Sequence, residues 1–161
     1  KDWYKVANKF CTDNATKYNT EPLVVASIVS ALSPRNKWKQ NLKDAIKVLE
    51  AVKDGKQPEQ IKVSTFHKNK FKAFLIAKGL QEITEDSRKT YNFVRNIAHL
   101  DPQALTIDIW HLRACFGQTI ETGLTPKKYK RLEAITIQEA KKLGLKGYEF
   151  QAIVWEVIRN L

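Results

Sequence analysis

A chain of 161 residues with 43% hydrophobic and 10% aromatic side chains can bury a core of its own, which excludes a disordered polyelectrolyte. Its 28 Lys and Arg against 17 Asp and Glu leave a net charge of +11, which points to a polyanionic partner, nucleic acid ahead of anionic membrane. The two cysteines, Cys11 and Cys115, exclude a four-thiolate zinc or iron–sulfur centre and are expected as reduced, buried thiols; the longest apolar run, LVVASIVSAL, is about half a membrane span.

In chain order, Trp3, Val6, Phe10 and Cys11 recur at helical spacing and predict a first helix. Glu21 and Pro22 open a second, PLVVASIVSAL, which is apolar on most sides and is therefore expected at the centre of the fold. The turn SPRN breaks it. Trp38, Leu42, Ile46, Leu49 and Val52 then mark a third helix ending at Gly55. Ser64 is the expected N-cap of a fourth, which carries Phe66, Phe71, Phe74 and Leu75 and stops at Gly79. Residues 86–99 form a fifth with Tyr91 and Val94 inward, followed by a turn at Asp101-Pro102. Ile109, Leu112 and Phe116 mark a sixth helix ending at Gly117; Pro126 opens a seventh, and Gly147 precedes an eighth, YEFQAIVWEVIRN.

No alternating pattern is long enough to compete as a strand, so residues 1–161 read as a single all-α domain of about eight helices. That order excludes a glycine-rich nucleotide loop after a strand, a Gly-x-Ser-x-Gly elbow and a His-Glu-x-x-His helix. The three histidines, His67, His99 and His111, are far apart in sequence, and no metal site is expected.

The segment LTIDIWHLRACFG carries the most specific question. Asp108 stands at the start of a helical run, where a carboxylate accepts hydrogen bonds from free backbone N–H groups and suits the helix dipole. It reads either as a helix cap or as a carboxylate held ready for chemistry. His111, three residues on, is close enough to pair with it.

Four stretches in one order resemble the helix-hairpin-helix DNA glycosylases. LVVASIVSALSPRNKWKQNLKDAIKVL is similar to the two apolar helices with a polar turn that open the family, and HKNKFKAFLIAKG looks like its Y-N-x-K-A helix. ITEDSRKT, residues 83–90, falls where the family carries L-P-G-V-G-x-K-T, and TIDIWHLR resembles V-D-T-H-V-x-R, which presents the catalytic aspartate. The resemblance spans roughly residues 20–118. Both hairpin glycines are replaced, with Glu85 and Ser87 in their places, and Glu85 and Asp86 put negative charge where the family's backbone approaches a DNA phosphate.

The resemblance implies a small, divergent member of the phage or bacterial type that excises bases for DNA repair in the cytoplasm, working as a monomer on double-stranded DNA without cofactor or metal. It implies two lobes, one near residues 22–100 and the other from 1–21 with 101–161, and a cleft between them. Asp108 would stabilise the positive charge that builds on the sugar as its bond to the base breaks. Lys89 matches the family's lysine and reads either as the amine that attacks the sugar carbon or as a phosphate contact.

Arg35, Asn36 and Lys37 in the SPRNKW turn lie where the family fills the gap left by a flipped base, and Trp38 reads as core or as a stacking ring. Arg88, Lys127 and Lys128 are further DNA-contact candidates, the last two within PKKYKR, which otherwise reads as a solvated helix start. His111, Gln151 and Trp155 are assigned with Trp38 to the base pocket, core packing being the alternative for each. Two other functions fit the same residues: a tailoring enzyme acting on modified bases of phage DNA, and a DNA-binding module without catalysis.

Overall fold

A computed structural model describes residues 2–117 and 123–159, with nothing described of the Arg159 side chain; Asn160, placed in the eighth helix by its sequence, lies outside them. Among the described residues eight α-helices follow one another: α1 (Trp3–Tyr18), α2 (Pro22–Leu32), α3 (Trp38–Lys53), α4 (His67–Ala77), α5 (Arg88–His99), α6 (Ile109–Phe116), α7 (Pro126–Lys142) and α8 (Gly147–Arg159). Single 3-10 turns sit at Pro58–Gln60 and Glu85–Ser87, and no strand occurs among the described residues. The all-α class expected from the periodicity is the class observed.

The chain divides into two compact units, residues 8–85 and residues 1–7 with 86–161. The division therefore falls inside α1 and just before α5. Residues 86–100, which the resemblance groups with the earlier helices, share a unit with the C-terminal ones, and residues 8–21, which it groups with the C-terminal ones, share a unit with α2, α3 and α4.

In the 8–85 unit, α2 packs on both α3 and α4. Its Val25, Ala26, Ile28, Val29 and Leu32 are completely buried, as a helix apolar on most sides requires. From α3, Ala45, Val48 and Leu49 fill one side; from α4, Ala73, Phe74 and Ile76 fill the other. Gly55 and Gly79 both adopt left-handed backbone, with φ of 70° and 71°, and close α3 and α4 where their positions implied. Ser64 is not the cap of α4, which begins at His67 after Phe66; the Ser64 backbone N–H instead donates to Asp44 Oδ2 at 2.8 Å.

Asp44 organises this unit. Its carboxylate is fully buried and also accepts from Asn36 Nδ2 at 3.0 Å and Gln40 Nε2 at 2.9 Å, with Lys47 Nζ 3.6 Å away. A buried charge is tolerated only when so surrounded by donors. Asp44 thereby fastens the SPRN turn to the segment leading into α4, and Thr65 Oγ1 adds a bond to the Pro34 carbonyl at 2.7 Å.

In the other unit, α8 packs on α6 and on α7. A Cβ added at Gly147, at the start of α8, would come within 3.0 Å of Ile137 Cγ1 and 3.4 Å of Leu105 Cδ1, which favours a residue without one. Cys11 is buried as expected; Cys115, near the exposed end of α6, is exposed, and neither forms a disulfide.

Candidate active site

The Asp101-Pro102 turn is built by its aspartate: Oδ1 accepts from the Gln103 N–H at 2.8 Å, and Oδ2 accepts from Arg95 Nε at 2.9 Å. Residues 104–107 then run extended and buried, yet no strand pairs with them. Buried backbone groups need partners, and here side chains of the surrounding helices supply them. From α5, Asn96 Nδ2 donates to the Ala104 carbonyl at 2.7 Å and Asn92 Nδ2 to the Leu105 carbonyl at 3.0 Å. From α7, Glu133 Oε2 accepts from the Leu105 N–H at 3.0 Å, while the Tyr129 hydroxyl accepts from the Ile107 N–H at 2.9 Å and donates to the Leu105 carbonyl at 2.7 Å. From α8, the Gln151 amide accepts from the Thr106 N–H at 3.1 Å and donates to the Thr106 carbonyl.

This frame delivers Asp108 to the start of α6. Its Oδ1 accepts from the His111 backbone N–H at 3.0 Å, so the aspartate does cap the helix. The same oxygen accepts from Trp155 Nε1 of α8 at 3.0 Å. Oδ2 has no partner among the described residues, and the side chain is half-buried. Capping and a further use of the carboxylate are therefore compatible.

Aromatic rings pack around the indole that holds this carboxylate. Trp3 meets Trp155 edge-on with centroids 5.8 Å apart and stacks on Phe93 at 6.2 Å; Tyr4 lies 6.0 Å from Trp155 and 5.6 Å from Tyr148. Burial holds the Tyr4 phenol far above its ordinary range, with the Asp108 charge adding to the effect, and pushes Tyr129 up to about 12. Both hydroxyls thus stay protonated and serve as donors. Burial also raises Glu133 above the ordinary carboxylate range, against the opposing pull of the Leu105 N–H and of Arg88 and Arg95.

His111 is buried with its Nε2 3.1 Å from Thr136 Oγ1, and burial lowers its affinity for a proton although Asp108 pulls the other way. Its ring is part of the interior. Gln151 is fully buried and bound to Thr106 through both amide atoms, so it acts as a clamp on the backbone and not as a reader of a ligand. Trp155 is half-buried beside Asp108. Among the residues assigned to the base pocket, the structure thus brings His111, Gln151 and Trp155 together around Asp108, while Trp38 is half-buried at the start of α3 in the other unit.

Lys89 is exposed in the first turn of α5, and Arg88 beside it is half-buried. Lys127 and Lys128 are exposed in the first turn of α7, whose N-cap Thr125 accepts from the Lys128 N–H at 3.3 Å. In the 8–85 unit, Arg35 and Lys37 are exposed, and the Arg35 guanidinium lies 5.6 Å over the Phe66 ring. Asn36 is committed elsewhere: its amide donates to the Leu32 carbonyl at 3.2 Å and to Asp44, which removes it as a free contact for DNA. Glu85 and Asp86 are exposed at the 3-10 turn that stands where the hairpin was expected.

Of the residues that build the frame, the sequence singled out Gln151, as pocket lining, and Tyr129 only within the basic run PKKYKR, but not Asn92, Asn96 or Glu133. Asn92 and Asn96 gave one signal, two amides a helical turn apart on the inward face of α5. Glu133 and Asp44 gave none, because each sits among charges that read as solvated. No cluster of three or more His, Cys, Asp or Glu suited to a metal occurs among the described residues, and no helix there is long and apolar enough to cross a membrane.

A family model described as a family of unknown function, DUF7178, matches residues 1–161. No curated protein and no solved structure matches the chain.

Proposed function

We propose that this chain, which belongs to the DUF7178 family, is a DNA glycosylase of helix-hairpin-helix type that flips a modified base from a duplex and hydrolyses its bond to the sugar. The observation that carries the reading is Asp108: a half-buried carboxylate at a helix start, with one oxygen tied down from two sides and the other left over. Its place in TIDIWHLR, where the resembling family presents its catalytic aspartate, supports the same role.

In this reading the carboxylate faces the positive charge that develops on the sugar as the base departs, and a water adds to the sugar carbon while the base leaves with a proton. Lys89, being exposed, is assigned to phosphate contact together with Arg88, Arg35, Lys37, Lys127 and Lys128, and strand cleavage by an attacking amine is not part of the mechanism. The excision needs no metal or organic cofactor. A second reading, a DNA-binding module without catalysis, is favoured by the replacement of both hairpin glycines, by Glu85 and Ser87.

Incubation with duplexes carrying a panel of damaged and modified bases, followed by assay for free base, separates the two. Asp108→Asn preserves size and helix capping but lacks full charge, so it is expected to fold, to bind duplex as before, and to release base on the order of a hundredfold more slowly. Release at the wild-type rate would make Asp108 a helix cap only, and no release by wild type would leave the binding module.

A further inference from the structure

Trp155 and Gln151 are four residues apart on α8 and so lie on one face of it, and both act on the same short segment. Gln151 grips the backbone of Thr106, and Trp155 donates to the side chain of Asp108 two residues later. The indole is itself braced: Trp3 meets it edge-on, Tyr4 lies against it, and the Tyr4 hydroxyl donates to Gln151 Oε1 at 3.4 Å. An indole needing only a partner for its N–H would be served by any carbonyl; here the N–H meets a carboxylate oxygen at 3.0 Å, a better acceptor than a carbonyl.

A helix cap alone leaves a carboxylate free to turn about its last torsion, since one donor fixes one oxygen in distance but not the plane of the group. The second donor changes that. The His111 N–H comes from α6 and the Trp155 N–H from α8, and both converge on Oδ1. With that oxygen held from two helices, the direction of Oδ2 is set.

We infer that Trp155 is a positioning residue that orients the Asp108 carboxylate so that Oδ2 is the oxygen presented to the reacting sugar. The inference rests on the reading of Asp108 as the catalytic carboxylate, but the orienting contact is testable without it. Nothing in the resemblance assigns this role to a residue of the last helix, and the sequence alone offered Trp155 only as pocket lining or core.

Trp155→Phe keeps an aromatic ring against Trp3 and Tyr4 and removes the donor. Single-turnover release from the duplex panel is expected to fall roughly tenfold to a hundredfold, as loss of an orienting partner typically does, with duplex affinity unchanged. A packing role alone would instead lower thermal stability and leave the single-turnover rate of the folded fraction intact.

The second measurement is the indole N–H resonance of Trp155 in a nitrogen–proton correlation spectrum, identified by its loss in Trp155→Phe. Asp108→Asn is expected to move it, because the acceptor loses its charge. A resonance that stays in place in Asp108→Asn, or base release at the wild-type rate by folded Trp155→Phe, overturns the inference. If wild type releases no base from any duplex, the glycosylase reading fails, and the indole resonance alone then decides whether Trp155 orients Asp108. The same resonance decides if Trp155→Phe does not fold.

Discussion

At the scale of the residue, His111 shows how closely the site is tied to stability. Its backbone N–H caps onto Asp108 while its ring is buried against Thr136, so protonating the ring places a charge in the interior near the helix start. Burial lowers its proton affinity in the folded chain below the ordinary value of 6.5. The unfolded chain therefore binds the proton more readily, and folding stability rises with pH across that interval. The stabilisation from holding His111 neutral is complete above 6.5 and is lost as pH falls through the lower, folded value. His111→Gln cannot titrate and retains a polar contact. The difference in unfolding free energy between wild type and this variant, followed by denaturant titration, is expected to move against wild type as pH drops below 6.5 and then to level off. A difference that stays constant from neutral to acid would place the ring in contact with water.

At the scale of the element, the sequence and the structure agree wherever burial follows period and part where it follows polar partners. The spacing of Val25, Ile28, Val29 and Leu32 or of Ala45, Val48 and Leu49 reports the buried face of a helix directly, and α2 and α3 lie where those residues place them. Ser64 is not the cap, since α4 begins three residues later at His67, and its N–H goes instead to Asp44, twenty residues earlier, a partner that no local pattern contains. The extended run at 104–107 was legible only as a gap between helices. What makes it rigid is five side chains from three helices: Asn92, Asn96, Tyr129, Glu133 and Gln151. For the same reason Asp108 was legible as a candidate, while the frame that places it was not. Tyr129 is the member whose removal is cleanest to interpret. Tyr129→Phe keeps the ring, but it orphans the buried Ile107 N–H and leaves the Leu105 carbonyl with Asn92 alone. The loss is expected to be about 1–3 kcal/mol in unfolding free energy by denaturant titration, the usual penalty for a buried donor without a partner. A change within a few tenths of a kilocalorie would mean that the segment finds other partners and is not held by the helices.

At the scale of the whole molecule, the dominant quantity is the charge of +11, shared between units that each hold more Lys and Arg than Asp and Glu. The ion pairs among the described residues involve Lys5, Lys9, Lys47, Lys56, Arg95 and Lys142, and most of them are exposed and therefore weak. A surface of this kind attracts a polyanion through many loose contacts, and each phosphate it neutralises releases counterions. For a duplex this gives a definite form: the logarithm of the binding constant should fall linearly with the logarithm of salt, with a slope of about −0.9 per phosphate contact. Arg35→Ala, Lys127→Ala and Lys128→Ala should each weaken binding equally for modified and unmodified duplexes and make the slope shallower by about one unit, because such contacts carry no sequence information. Asp108→Asn should leave the slope as it is, since a group facing a single sugar releases no counterions from the backbone. Fluorescence anisotropy across a salt series measures all four variants on one scale. Binding that ignores salt would remove nucleic acid as the partner, whatever Asp108 proves to do.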